Sequence, residues 1–142
     1  MISRFHKKPK LTYAGGKRPW VLESECIYIT EVEQARDVYW MGVIVIPKGY
    51  RTDLASVPRI PGIYWRVGGK AVLPAIVHDW LYECGHPDLT RKAADDVFLE
   101  AMADEADPPW WTTRQVMYRA VRLGGGRAWR NYRKAGGCAR TP

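Results

Sequence analysis

The sequence lacks a long apolar run: its longest uncharged stretch, residues 38–47, is about half of what a membrane-spanning helix needs. His6, Lys7, Lys8 and Lys10 have no apolar stretch behind them, so neither a signal peptide nor a membrane anchor is expected. The absence of a phosphate loop and of a dinucleotide fingerprint argues against nucleotide chemistry. Cysteine is scarce. Cys26, Cys84 and Cys138 are odd in number and widely spaced, which excludes a disulfide framework as the organising device and suits synthesis in a reducing cytoplasm. Acidic side chains are missing from residues 114–142, which hold eight basic ones (Arg114, Arg119, Arg122, Arg127, Arg130, Arg133, Lys134, Arg140). The preceding part, with 14 basic and 15 acidic residues, is nearly neutral. The net charge of +7 is thus a property of the C-terminal segment, which favours a polyanion or an acidic protein face.

What is present fits one globular domain: 142 residues, 46% hydrophobic and 26% charged, without internal repeats. The first half reads as β. Strands are expected at residues 11–14 and 20–23 around the Gly15-Gly16 turn, at 27–30, and over a longer run at 37–47 closed by Pro47-Lys48-Gly49. The acidic stretch 31–37 reads as an exposed loop, and the strands together as one small antiparallel meander. From residue 70 the period becomes helical. One helix carries Ala71, Ala75, His78, Asp79 and Tyr82 on a stripe and stops at Gly85, expected as a left-handed cap. A second starts after the N-cap Thr90 and runs over residues 91–105, burying Ala94, Val97, Phe98, Ala101 and Met102. A third covers 112–123, with Val116, Met117, Ala120, Val121 and Leu123 as its apolar face, until Gly124-Gly125-Gly126 break it. The expected class is α+β: a small antiparallel sheet from the N-terminal half packed by three C-terminal helices. The division is a domain at 1–123 and a basic, aromatic arm at 124–142.

Two segments carry candidate chemistry. The first is Tyr50 to Arg59, where Asp53 and Ser56 suit a tight turn that binds backbone amides. The second is His78-Asp79-Trp80-Leu81-Tyr82, whose His78, Asp79 and Tyr82 share one side of a helix. An antiparallel second helix can set Asp95 or Asp96 against His78, and a carboxylate on one imidazole nitrogen leaves the other as a base. The same residues also suit an unreactive buried network, with His78 accepting from Tyr82 or Thr52 and Asp79 paired to Arg59 or Arg91.

The run Gly49 to Arg59, the motif His78 to Tyr82, and Arg91 with Ala94-Asp95 and Phe98 resemble a phage and prophage family, the domain of unknown function 1353. The resemblance spans roughly residues 44–117. It implies an origin in a tailed phage or prophage, among virion and lysis genes, and brings no established activity. The His-Asp-x-x-Tyr helix opposed by an Asp is also similar to the catalytic helix pair of secreted phospholipase A2 enzymes. That similarity implies His78 activating water, Asp79 binding calcium with help from Val67-Gly68-Gly69, and Asp95 or Asp96 orienting His78. A Ser56-His78-Asp95 triad and a metal site from His78, Cys84, His86 and Cys26 are weaker alternatives, lacking a nucleophile elbow and a strong zinc spacing.

Seven tryptophans exceed what so small a core holds. Trp110, Trp111, Arg127, Trp129, Arg130, Tyr132 and Arg133 are the residue types enriched at interfaces and are expected at the surface. The leading functional expectation is a structural adaptor of the virion, in tail or neck. It would be made in the host cytoplasm, assembled into the particle and docked by its basic end on other virion proteins. A homo-oligomer or ring is compatible with it, and nucleic acid is a less favoured partner. An enzyme is less expected than a non-enzyme. The alternative is a cell-envelope hydrolase, phospholipase-like or directed at peptidoglycan, using His78, Asp79, Tyr82 and Asp95, with Asp53 and Ser56 as lesser candidates. No cofactor is expected, except Ca2+ at Asp79 under the phospholipase-like alternative.

Overall fold

The computed structural model describes residues 4–54 and 71–140. Six short strands come first: β1 (Phe5–Lys7), β2 (Leu11–Tyr13), β3 (Trp20–Leu22), β4 (Cys26–Ile29), β5 (Val43–Ile46) and β6 (Arg51–Thr52). Between β4 and β5 lie helix α1 (Glu33–Val38) and a 3-10 turn (Trp40–Gly42). The second half is helical: α2 (Val72–Cys84), α3 (Arg91–Glu105), α4 (Trp111–Gly124), α5 (Gly126–Lys134) and a closing 3-10 turn (Gly137–Arg140). The class is α+β. No helix among the described residues is long and apolar enough to cross a membrane.

The strands form two antiparallel three-stranded sheets, ordered β1-β4-β5 and β2-β3-β6, rather than one meander. The turn Pro47-Lys48-Gly49 joins strands of different sheets, with Gly49 at φ 88°. In the first sheet the period of two is plain: Cys26 and Tyr28 on β4 and Ile44 and Ile46 on β5 are fully buried. Tyr28 and Thr30 both donate to Glu100 of α3, at 2.7 and 2.8 Å, and this ties the sheet to the helical layer.

Residues 31–37 are mostly helix and not a loop. Thr30 Oγ1 accepts from the Val32 N–H, Ala35 is fully buried, and Gln34 bonds the turn between α2 and α3 through the Asp88 carbonyl and the Thr90 N–H. The expected long strand is correspondingly short. Met41 and Gly42 take left-handed conformations (φ 52° and 72°) that reverse the chain, so only Val43–Ile46 pairs with β4. A Cβ on Gly42 would collide with the Thr30 carbonyl oxygen. Strand β1 lacked a sequence signal, since two of its three side chains, His6 and Lys7, are polar and exposed.

Helices α2 and α3 form an antiparallel pair, and α3 begins as expected with Thr90 Oγ1 accepting from the Ala93 N–H at 3.1 Å. Gly85 ends α2 in extended backbone (φ −63°, ψ 156°) and not in a left-handed cap. Its requirement is steric, because a Cβ there would strike the Leu81 carbonyl. Phe98 and Met102 of α3 pack with Ala75 of α2 and Met117 and Val121 of α4 in a second core cluster. Two of the five positions expected on the buried face of α4 point outward instead: Val116 is 45% and Leu123 89% exposed. Cys84 and Cys138 form a disulfide, a pairing that their 54-residue separation concealed. With Arg133, which bonds the Gly85 and His86 carbonyls, it holds the C-terminal segment against the end of α2.

Candidate functional site

The site is assembled on Asp95, a carboxylate of α3 with no exposed surface. Its Oδ1 lies 2.7 Å from His78 Nε2 and accepts from the Tyr82 hydroxyl at 2.7 Å. Its Oδ2 accepts from Arg122 Nη1 of α4 at 2.8 Å, with Arg91 Nη1 at 3.7 Å. Burial alone would raise the Asp95 pKa, but the bonds from His78, Tyr82 and Arg122 outweigh it and hold the carboxyl below its ordinary value. Burial, then the bond to Asp95, pushes the Tyr82 phenol up, so it stays protonated and donates.

These states fix the tautomer of His78. An ionised Asp95 only accepts, so Nε2 carries the proton that bonds it. The ring packs against Tyr82 at 4.3 Å and Phe98 at 4.7 Å between centroids, both tilted. His78 is almost wholly buried and lines a cavity of about 340 Å³. The cavity wall also includes Thr52, Asp53 and Asp79 on one side and Ala120, Gly124 and Ala128 on the other. Its size and its few convergent polar groups are those of a small-molecule site.

Asp79 is fixed by Thr52, whose hydroxyl donates to Oδ2 at 2.7 Å while its oxygen accepts from the Leu54 N–H at 2.9 Å. Thr52 therefore plays the turn-forming part expected of Asp53, while Asp53 is exposed at the cavity. Ser56, Arg59 and the segment Val67-Gly68-Gly69 lie outside the described residues. Of the two acids expected opposite His78 it is Asp95 that meets it; Asp96 takes Lys92 and Tyr118 instead. The polar-network alternative is corrected in detail: Tyr82 and Thr52 donate to the carboxylates and not to His78, and Arg91 reaches Asp95 and not Asp79.

The weaker alternative, a transition-metal group of His78, Cys84, His86 and Cys26, does not assemble. Cys84 is in the disulfide, and Cys26 is buried in the sheet with its thiol pushed up to about 12 by desolvation. Among the described residues no group of three or more His, Cys, Asp or Glu side chains that could hold a metal ion comes together.

Other participants had no motif to reveal them. Tyr50 and Arg18 both bond Glu83, which lines the cavity one residue after Tyr82. Arg122 reaches Asp95 from 27 residues away. Gly125 allows close approach: a Cβ there would lie 2.5 Å from the Tyr82 hydroxyl and 2.6 Å from the Val121 carbonyl. The glycine triplet was the visible signal, but it read as a helix stop.

The segment from residue 124 contains α5, which packs on α2 and gives Ala128 and Tyr132 to the cavity wall. Trp129 stands edge-on to Tyr82 at 5.1 Å with the Arg133 guanidinium 4.0 Å over its ring, so Trp129, Tyr132 and Arg133 are half-buried rather than surface residues. Trp110, Trp111, Arg127 and Arg130 are exposed.

The family model described as "Protein of unknown function (DUF1353)" matches residues 20–121. The chain belongs to this family. The match runs further toward both ends than the motifs alone suggested, taking in β3, β4, α1 and nearly all of α4. It contains His78, Asp79, Tyr82, Asp95 and the DUF1353 strand that supplies Thr52, whereas α5 lies beyond it. No curated protein and no solved structure matches the chain.

Proposed function

We propose that this DUF1353 protein is a hydrolase of ester or amide bonds in cell-envelope material, with His78 as general base. The observation that carries the reading is the His78–Asp95 pair at 2.7 Å, set in the wall of the 340 Å³ cavity. Asp95 holds the Nε2–H tautomer and stabilises the imidazolium that forms, and Tyr82 and Arg122 hold Asp95. A water gives its proton to the His78 imidazole as its oxygen bonds the substrate carbonyl carbon. The tetrahedral intermediate then expels the alcohol or amine, which takes the proton from His78, leaving a carboxylic acid.

The test uses the purified chain on phosphatidylglycerol vesicles and on peptidoglycan sacculi, reading released fatty acid and released muropeptides. The expected result is turnover of one substrate, lost by about 10²–10⁴-fold in His78→Asn assayed well below that variant's own melting temperature. An inactive wild type, or a His78→Asn variant as active as wild type, overturns the reading.

A second reading, a virion adaptor of a tailed phage, is favoured by the exposed pair Trp110 and Trp111, 54% and 65% accessible at the start of α4. Mass spectrometry of purified particles from a phage encoding the chain tests it, and absence of the chain refutes it.

A further inference from the structure

Helices α4 and α5 behave as one helical run. Gly125 joins them in helical backbone (φ −83°, ψ −12°): its N–H bonds the Val121 carbonyl at 2.9 Å and its carbonyl accepts from the Trp129 N–H at 3.0 Å. Ala120, Gly124 and Ala128 follow one another at helical spacing and line the cavity. The adjoining stripe is Arg119, Leu123 and Arg127, all exposed, with Leu123 at 89%. On the same outer side Val116 is 45% exposed, and Trp110 and Trp111 stand at the start of the run. No acidic residue occurs from 114 to 142.

A leucine between two arginines, on the stripe next to the cavity-lining Ala120, Gly124 and Ala128 and on the same run as exposed indoles, is chemistry for a boundary between water and hydrocarbon. Guanidinium groups take phosphates, indole rings sit at headgroup depth, and aliphatic side chains enter the acyl region. Nucleic acid would satisfy the arginines but give no partner to Leu123 or Val116. We propose that the outer face of α4–α5 docks on an anionic phospholipid surface and sets the mouth of the cavity against it. The small side chains of Ala120, Gly124 and Ala128 then leave a passage for one lipid toward His78. This names a phospholipid as the substrate and rests on the hydrolytic reading for that point alone; the docking is separately measurable.

The experiment is co-sedimentation of the full chain with vesicles of phosphatidylcholine, with and without phosphatidylglycerol, at low and high salt. Binding is expected only with phosphatidylglycerol, weakening as salt rises. Arg119→Gln and Arg127→Gln are each expected to weaken it about fivefold, the effect of one cationic side chain near an anionic surface. Leu123→Ser is expected to weaken it further, and His78→Asn to bind as wild type. Equal binding to pure phosphatidylcholine overturns the proposal, as does a folded triple variant (Arg119→Gln, Leu123→Ser, Arg127→Gln) that sediments like wild type. Displacement by duplex DNA with no effect of Leu123→Ser also overturns it. Vesicle binding without fatty-acid release leaves the docking standing and removes the phospholipid as substrate. Hydrolysis of a soluble short-chain ester without vesicle binding removes the docking and leaves the hydrolytic reading standing.

Discussion

Replacing Asp95 by Asn changes almost no volume and inverts the polarity of one buried atom. The carboxylate accepts from His78 and Tyr82 on Oδ1 and from Arg122 on Oδ2, so every direct partner is a donor. An amide has one accepting oxygen. Turned toward His78 and Tyr82, it puts its NH2 against Arg122; turned the other way, it opposes two donors at once. At least one charge-assisted bond is lost and a donor left facing a donor. Complete removal of a partner from a buried ion pair costs about 3–5 kcal/mol. Arg122 keeps 31% of its side chain in solvent and can turn outward, which places the expected loss at about 2–4 kcal/mol. For a chain of this length that corresponds to a fall of roughly 10 °C in Tm. The pH dependence has a definite sign. Asp95 has a depressed pKa in the folded state, so its stabilisation is present above the unfolded value near about 3.9 and is lost as pH falls through the folded value. Urea unfolding of wild type and Asp95→Asn from neutral pH down to about pH 3 should show a constant gap that closes only in the acid range. A variant within about 0.5 kcal/mol of wild type at neutral pH, or a gap that does not shrink in acid, would refute the assignment of Asp95 as an ionised hub.

Gly125→Ala should lower stability by about 1–3 kcal/mol in a thermal melt, because the new methyl meets the Tyr82 hydroxyl and the Val121 carbonyl. Adding Tyr82→Phe removes the first clash, so the double variant should lose less than the sum of the single variants. Cys138→Ser opens a loop closed across 54 residues and should cost up to about 4 kcal/mol, with faster amide exchange in α5. Protection in α5 equal to wild type contradicts that role for the disulfide. Glu100→Gln weakens the anchor shared by Tyr28, Thr30 and the Glu31 N–H, and should cost about 1–3 kcal/mol while leaving hydrolysis by folded protein unchanged.

Local chemistry along the chain was enough for much of this architecture. The helical spacing of Ala94, Val97, Phe98, Ala101 and Met102 and the Thr90 cap defined α3, because its buried face and its start are both local properties. The same spacing put His78 and Tyr82 on one side of α2 and pointed to a carboxylate from the next helix. Choosing Asp95 over Asp96 required the rotation of α3 against α2, which is a packing outcome. Where two elements compete for one segment, local reading failed: residues 37–42 have strand-forming side chains, but Ala35 finds a buried seat and Gly42 a close approach to Thr30.

The order of residues alone settled the α+β class, the helix pair, the cationic C-terminal segment and the imidazole–carboxylate–phenol set, since each follows from period, charge or spacing within one element. Tertiary structure alone decided that Arg122 reaches Asp95, that Cys84 joins Cys138, that Leu123 faces outward and that α5 walls the cavity. Those depend on parts of the chain that are distant in sequence. They arise from how whole helices dock, which depends on the summed packing of many side chains and leaves no mark at any single position.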